Sequence, residues 1–201
     1  TERAKRPQEF AREPSVRKGG VCPLCPGSEQ MTPPEILAYR NGGSPNDPNW
    51  TLRVVSNKFP ALRIEGELGK AADGIYDRMN GIGAHEVVIE TPSHDIDLFD
   101  LSEDRFRDVL WAFRDRLLDL KNDHRFKSVI IFKNHGSDAG ASLTHSHSQL
   151  IALPVIPKRV LEEMSGCRDY YRFRDRCVFC DIIVQEMEQK CRIVEETGEF
   201  L

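Results

Sequence analysis

Short apolar runs break up a polar chain, and one longer segment repeats with helical period. The β-branched run in "TLRVVSNKFPAL" (51–62) predicts a strand that ends in a turn at Asn57. "AHEVVIETPSH" (84–94) reads as a second strand through Val87, Val88 and Ile89, stopped by Pro92. From an N-cap at Ser102, "LSEDRFRDVLWAFRDRLLDLKND" sets Phe106, Val109, Leu110, Phe113, Leu117 and Leu120 on one helical face. "FKSVIIFKN" (126–134) predicts a buried strand and "HGSDAGAS" a glycine-rich loop. "SQLIALPVIP" predicts another strand, and a polar helical stretch, "KRVLEEMSG", comes after Pro157.

Two regions lack such a pattern. Residues 1–50 are rich in Pro, Gly and polar residues and predict loops with at most a short strand or turn. Residues 63–82 carry several glycines without a period and read as a mobile loop. The order strand, long helix, strand, glycine loop, strand predicts an α+β fold with the helix packed on one face of a sheet.

Composition narrows the class. A hydrophobic fraction of 39% and a charged fraction of 30% are those of a globular protein, and no apolar run reaches the roughly 20 residues a membrane helix needs. The formal charge of −4 lacks the basic excess expected of a nucleic-acid partner, which leaves small anionic substrates open. With no secretory signal, a cytoplasmic location is the expectation. The chain begins "TERAKRPQEF" without a methionine and ends "EETGEFL", which suggests a piece of a longer protein.

Cysteine spacing adds chemistry. Cys22/Cys25 and Cys177/Cys180 form two C-x-x-C pairs, with Cys167 and Cys191 single. Without an export signal, this spacing argues for metal thiolates over disulfides. Tetrahedral zinc needs two further ligands beside Cys22 and Cys25, and His94 at a strand end and His145 after the glycine loop are candidates. Each histidine also has an ordinary alternative as a surface or hydrogen-bonded side chain, and His85 reads equally well as a plain strand residue.

The stretch "THSHSQLIAL" (144–153) raises a second possibility. In extended backbone His145, His147 and Gln149 share a face and point into one pocket. Imidazole is a competent nucleophile toward phosphorus at neutral pH. Upstream, Gly136, Gly140 and Ser142 offer backbone N–H groups and a hydroxyl to phosphate oxygens. Gln149 can donate to the same oxygens without exchanging a proton.

With these residues, "NHGSDAGASLTHSHSQ" resembles the active-site stretch of the galactose-1-phosphate uridylyltransferase branch of the histidine-triad superfamily: Asn, glycine loop, Ser, then H-x-H-x-Q. "RAKRP", the first C-x-x-C with its Pro-Gly, "VVSNKFPAL" and "ETPSH" match in order. The resemblance implies a histidine-triad-like antiparallel sheet. It makes His147 the residue that becomes nucleotidylated on the α-phosphorus of a nucleotide sugar, before transfer to a hexose 1-phosphate. It implies zinc on Cys22, Cys25, His94 and His145, phosphate contacts from Asn134, Ser142 and Gln149, and a basic start at Arg3 and Arg6 near the nucleotide or sugar phosphate. It puts Asn57, with Val55 and Phe59, at the base and ribose pocket, and it implies a homodimer. Hydrolases of the superfamily carry a third His where this chain has Gln149, which favours transfer over hydrolysis.

The departures point to a sub-branch. The uridylyltransferases usually read H-P-H-G-Q, whereas this chain reads H-S-H-S-Q, and Lys58 stands where an acidic residue is common. With "SEQMTPPEI" and the second C-x-x-C, these features are similar to plant-type ADP-sugar phosphorylases or adenylyltransferases, so the alternative to uridylyl transfer is adenylyl transfer. A zinc-stabilised nucleotide-binding module without turnover is the non-enzymatic alternative. The expected organisation is a catalytic domain over 1–157 and, over 158–201, a linker and the start of a second, truncated half. In such relatives histidines of the second half complete the zinc site of the second C-x-x-C. Here Cys177 and Cys180 are left to Cys167 or Cys191, or short of ligands.

Overall fold

The computed structural model describes residues 21–200, so Arg3 and Arg6 lie outside the described residues. The chain divides into two compact units, Thr1–Val155 and Ile156–Leu201. The first holds β1 (Glu35–Arg40), β2 (Trp50–Ser56), β3 (Ala71–Asp73), β4 (Tyr76–Arg78), β5 (Ala84–Ile89), α1 (Glu103–Leu120), β6 (Ser128–Phe132) and β7 (His147–Leu153). The second holds α2 (Lys158–Arg174) and α3 (Val178–Gln189).

Five strands make one antiparallel sheet in the order β1-β2-β5-β7-β6. Directly opposed residues share a face. The register Val55↔Val87↔Gln149 and Arg53↔Ile89↔His147 therefore puts these side chains on one face, with His85 opposite Ile151 beside them. The alternate residues Leu52, Val54, Glu86, Val88, Ser148 and Leu150 belong to the other face, which α1 covers. There Leu52, Val54 and Val88 pack on Val109 and Ala112, while Leu150, Ala152 and Ala84 pack on Leu120. Fully burying each of the valine and leucine side chains contributes about 1.5–3 kcal/mol, and each alanine less. The α+β class expected from the sequence is the class observed.

The helix sits rotated from its expected face. Val109, Ala112, Arg116 and Leu120 are its buried positions, whereas Phe106 and Leu110 are exposed. Arg116 turns that face inward by donating twice to Glu86 of β5, Nε to Oε2 and Nη2 to Oε1, both at 2.7 Å. A hydrophobicity pattern cannot register a buried arginine paired with a buried glutamate. Strand β6 differs too: it is the sheet edge and half-buried throughout, not a buried central strand.

The expected loop at 63–82 contains the β3–β4 hairpin and a bridge between Arg63 and Ile82. Both short strands are fully exposed, so neither shows the alternation that marks a strand facing a core. Arg125, itself held by Asp123 at 2.6 Å, donates to the carbonyls of Gly66 at 2.6 Å and Ile64 at 3.0 Å. These bonds tie that segment down.

Candidate active site and metal centre

The Cys22–Cys25 segment is a tight turn closed by the Cys25 N–H on the Cys22 carbonyl. Leu24 anchors it in a cluster with Trp50, Val55 and Ile89. Glu29 steadies the adjoining turn, accepting from the Gly27 N–H at 2.9 Å and from the Trp50 indole N–H at 2.8 Å. This seats the two thiols on the sheet face that carries His147.

His94 and His145 complete a group of four with Cys22 and Cys25, whose ligand atoms all lie within 4.8 Å of one another. Cys25 Sγ is 3.4 Å from His94 Nδ1 and 3.5 Å from His145 Nδ1, and Cys22 Sγ is 3.8 Å from His145 Nδ1. A tetrahedral ion with metal–sulfur bonds of about 2.3 Å and metal–nitrogen bonds of about 2.0 Å would hold S and N about 3.5 Å apart.

The remaining ring nitrogens are committed as well. His145 Nε2–H donates to the Thr91 carbonyl at 2.7 Å, and His94 Nε2 pairs with Thr144 Oγ1 at 3.0 Å. Because a carbonyl only accepts, the His145 proton is on Nε2, and the bare Nδ1 faces the thiols. Such outer bonds orient ligating imidazoles. Burial pushes the His145 pKa below its ordinary value of 6.5, which keeps the ring neutral as a ligand must be. These four residues can hold a metal ion.

Two residues on, His147 opens β7 half-buried, and its Nδ1–H donates to the His145 carbonyl at 2.7 Å. Nε2 then carries the lone pair. Gln149 lies next along the same face, with its Oε1 2.8 Å from His85 Nε2. The Ala61 N–H, which can only donate, bonds to His85 Nδ1 at 3.1 Å, so the His85 proton is on Nε2 and points at the Gln149 oxygen. The Gln149 amide is therefore turned with its NH2 away from His85. Asn57 Nδ2 lies 3.1 Å from the same His85 nitrogen, a donor beside a donor and so a contact without a hydrogen bond, while Asn57 Oδ1 accepts from the Phe59 N–H at 2.9 Å.

The chain as a whole is similar to known proteins. The family described as "Domain of unknown function (DUF4931) N-terminal domain" matches residues 77–156. ADP-glucose phosphorylase of Arabidopsis thaliana is 35% identical over 204 residues, covering 99% of this chain and 56% of that protein. Galactose-1-phosphate uridylyltransferase of Thermotoga maritima is 28% identical over 181 residues, covering 90% of this chain and 52% of that protein. A solved structure of Arabidopsis ADP-glucose phosphorylase with bound ADP-glucose matches with a TM-score of 0.68 at 33% identity, over 87% of this chain and 52% of that one. The chain is a relative of the galactose-1-phosphate uridylyltransferases and of plant ADP-glucose phosphorylase. It spans about half the length of these relatives.

The other residues singled out by that resemblance fall unevenly. Continuing the β6–β7 register past Phe132↔Gln149 sets Asn134, half-buried, opposite His147. Gly140 and Ser142 lie exposed in the intervening loop. There Gly136 and Gly140 take φ of 78° and 83°, and the Ala141 N–H closes on the Gly136 carbonyl at 3.1 Å. L-residues with a side chain adopt such φ values rarely. Val55 is 2% exposed, packed beneath Leu24, whereas Phe59 is 83% exposed.

In the second unit Cys177 caps α3 and Cys180 lies in its first turn. Hydrogen bonds from the Cys180 and Phe179 backbone N–H groups pull the Cys177 thiol below its usual pKa, and the Cys177 sulfur pushes Cys180 up. Among the described residues, Cys22, Cys25, His94 and His145 are the one group of three or more potential metal ligands. Neither Cys167 nor Cys191 gathers with Cys177 and Cys180 into another.

Sequence reasoning weighed His85 only as a possible ligand or a plain strand residue, passed over Glu90, and used Ser146 and Ser148 only as departures from a motif. The available signal was acidic residues inside "HEVVIE", where a strand buried on both faces has no cheap place for them.

Proposed function

We propose that this chain carries the nucleotidyl-accepting site of a nucleotidyltransferase that acts on a nucleotide sugar and a phosphate acceptor. His147 Nε2 attacks the α-phosphorus. The Nε2–P bond forms as the bridging P–O bond breaks, and the electron pair leaves on the oxygen of hexose 1-phosphate. In the second step an acceptor phosphate oxygen attacks the same phosphorus, and the Nε2–P electron pair returns to the ring. The observation that carries this reading is the Nδ1–H bond to the His145 carbonyl at 2.7 Å, which leaves Nε2 as the nucleophile and stabilises the ring charge gained on substitution.

Gln149 donates its amide hydrogens to the phosphate oxygens and, being unable to titrate, gives water no general base at that position. Asn57 and Asn134 supply further donors to phosphate or ribose. Arg3 and Arg6 meet the anionic substrate, and Gly140 and Ser142 border it. Zinc would be held by Cys22, Cys25, His94 and His145. With four protein ligands it would have no open position, and it would supply rigidity to the turn and strand that carry His147.

Adenylyl transfer is favoured over uridylyl transfer by the 35% identity to ADP-glucose phosphorylase against 28% to the uridylyltransferase, and by the serines of H-S-H-S-Q. The test is isotope exchange. Labelled glucose 1-phosphate should enter ADP-glucose with no other substrate present, and enter UDP-glucose more slowly. Nucleotide-sugar binding without exchange would replace this reading with a zinc-stabilised nucleotide-binding module.

A further inference from the structure

We propose that Glu90 and Lys133, joined through Ser146 and Ser148, are positioning residues that hold His147 from the far side of its strand; the proposal rests on His147 as the nucleophile. Glu90 lies just after β5, and its side chain is fully buried. A carboxylate removed from water in this way must be matched by donors and a counter-charge. Ser146 Oγ–H donates to its Oε2 at 2.6 Å, Ser148 Oγ–H donates to its Oε1, and Lys133 Nζ donates to Oε2 at 2.7 Å. Lys133 also donates to Ser146 Oγ at 2.9 Å and to the His147 carbonyl at 3.2 Å. An ammonium has three hydrogens, and here three acceptors take them, so Lys133 is not free to bind substrate phosphate.

One ion pair thus grips three consecutive residues, 146 to 148, opposite the imidazole. The His145 carbonyl holds that imidazole from the front. The position matters because the sheet ladder gives out here: the Glu90 N–H reaches the Ser146 carbonyl only at 3.4 Å. Where backbone pairing weakens, side chains take over. The H-P-H-G-Q form, with Pro and Gly in place of the serines, has no hydroxyls for such a carboxylate, so Glu90, Lys133, Ser146 and Ser148 make sense only as a set.

The test uses single-turnover labelling of the chain by ADP-glucose, with intact-protein mass spectrometry as the readout and affinity measured separately by calorimetry. Ser146→Ala/Ser148→Ala and Glu90→Leu/Lys133→Met are compared with wild type. The second pair removes both charges together, so it avoids stranding one and preserves folding. Each variant should label about 10- to 100-fold more slowly at unchanged affinity. In nitrogen-15 NMR the His147 ring should change from one tautomer, protonated at Nδ1, to a mixture.

A labelling rate within about twofold of wild type in a folded variant, with the tautomer unchanged, overturns the proposal while leaving nucleotidyl transfer intact. If wild type itself does not label with ADP-glucose or UDP-glucose, the transfer reading fails instead, and the tautomer measurement alone decides the clamp.

Discussion

His85 Nε2–H donates to Gln149 Oε1 at 2.8 Å and thereby decides which end of the Gln149 amide is offered to a ligand. His85→Leu should free the amide to flip and slow nucleotidylation by about tenfold or more, a part of the roughly 100- to 1,000-fold that losing one oxyanion donor outright costs. Gln149→His should behave differently. It should still label, but the adduct should be lost to water faster, read as a shorter lifetime by intact mass.

Metal removal separates a structural ion from an idle cluster. Chelation, or Cys25→Ala, should lower the thermal midpoint of the first unit and abolish one equivalent of tightly held metal in elemental analysis. Acid should have the same effect. His145 has its pKa depressed by burial, so the unfolded chain protonates this ring first; the stability tied to its neutral form is present above its ordinary value of 6.5 and is lost as pH falls below that value. A metal content and midpoint unchanged by Cys25→Ala would contradict the centre.

The Arg116–Glu86 pair predicts asymmetry in urea unfolding. Arg116→Met strands a glutamate that is 3% exposed and should cost about 3–5 kcal/mol. Glu86→Leu combined with Arg116→Met should recover most of that loss, because two apolar groups suit the sheet–helix interface. A double variant no better than the single would mean that the pair itself contributes net stability.

Tyr39 donates its hydroxyl to Asp115 Oδ2 at 3.0 Å, linking β1 to α1. Burial first, and then that hydrogen bond and the Asp115 charge, push its pKa from 10.0 up to about 12. Because the folded value is the higher one, the stabilisation is fully present below pH 10 and is lost as pH rises toward about 12. An ultraviolet difference titration of wild type against Tyr39→Phe should show one phenol ionising late, and an ordinary titration would remove Asp115 as its partner.

How far the sequence could be read depended on the kind of interaction. Runs of β-branched and apolar residues located β2, β5 and β7, and helical spacing located α1, because each buries apolar side chains against a neighbouring element. The exposed β3–β4 hairpin left no pattern to find. The cluster of Cys22, Cys25, His94 and His145 was proposed from spacing and resemblance together, and the structure brings the four side chains together. The contact of His85 with Gln149, and Glu90 altogether, were missed for a physical reason: they are defined by partners 64 and 56–58 residues away, Gln149 for the first and the two serines for the second. In the sequence Ser146 and Ser148 served only as departures from H-P-H-G-Q that point to a sub-branch; the structure adds that both face away from His147 and donate to Glu90.

The central claim is that His147 Nε2 takes a nucleotidyl group. Intact-protein mass spectrometry after mixing with ADP-glucose or UDP-glucose, without acceptor, tests it most directly, with peptide mapping to locate the adduct. The expected result is a gain of one AMP in preference to one UMP, mapped to His147, lost on adding a phosphate acceptor and absent in His147→Asn. A folded, metal-loaded chain that gains neither mass, or that carries the adduct on another residue, would contradict the account.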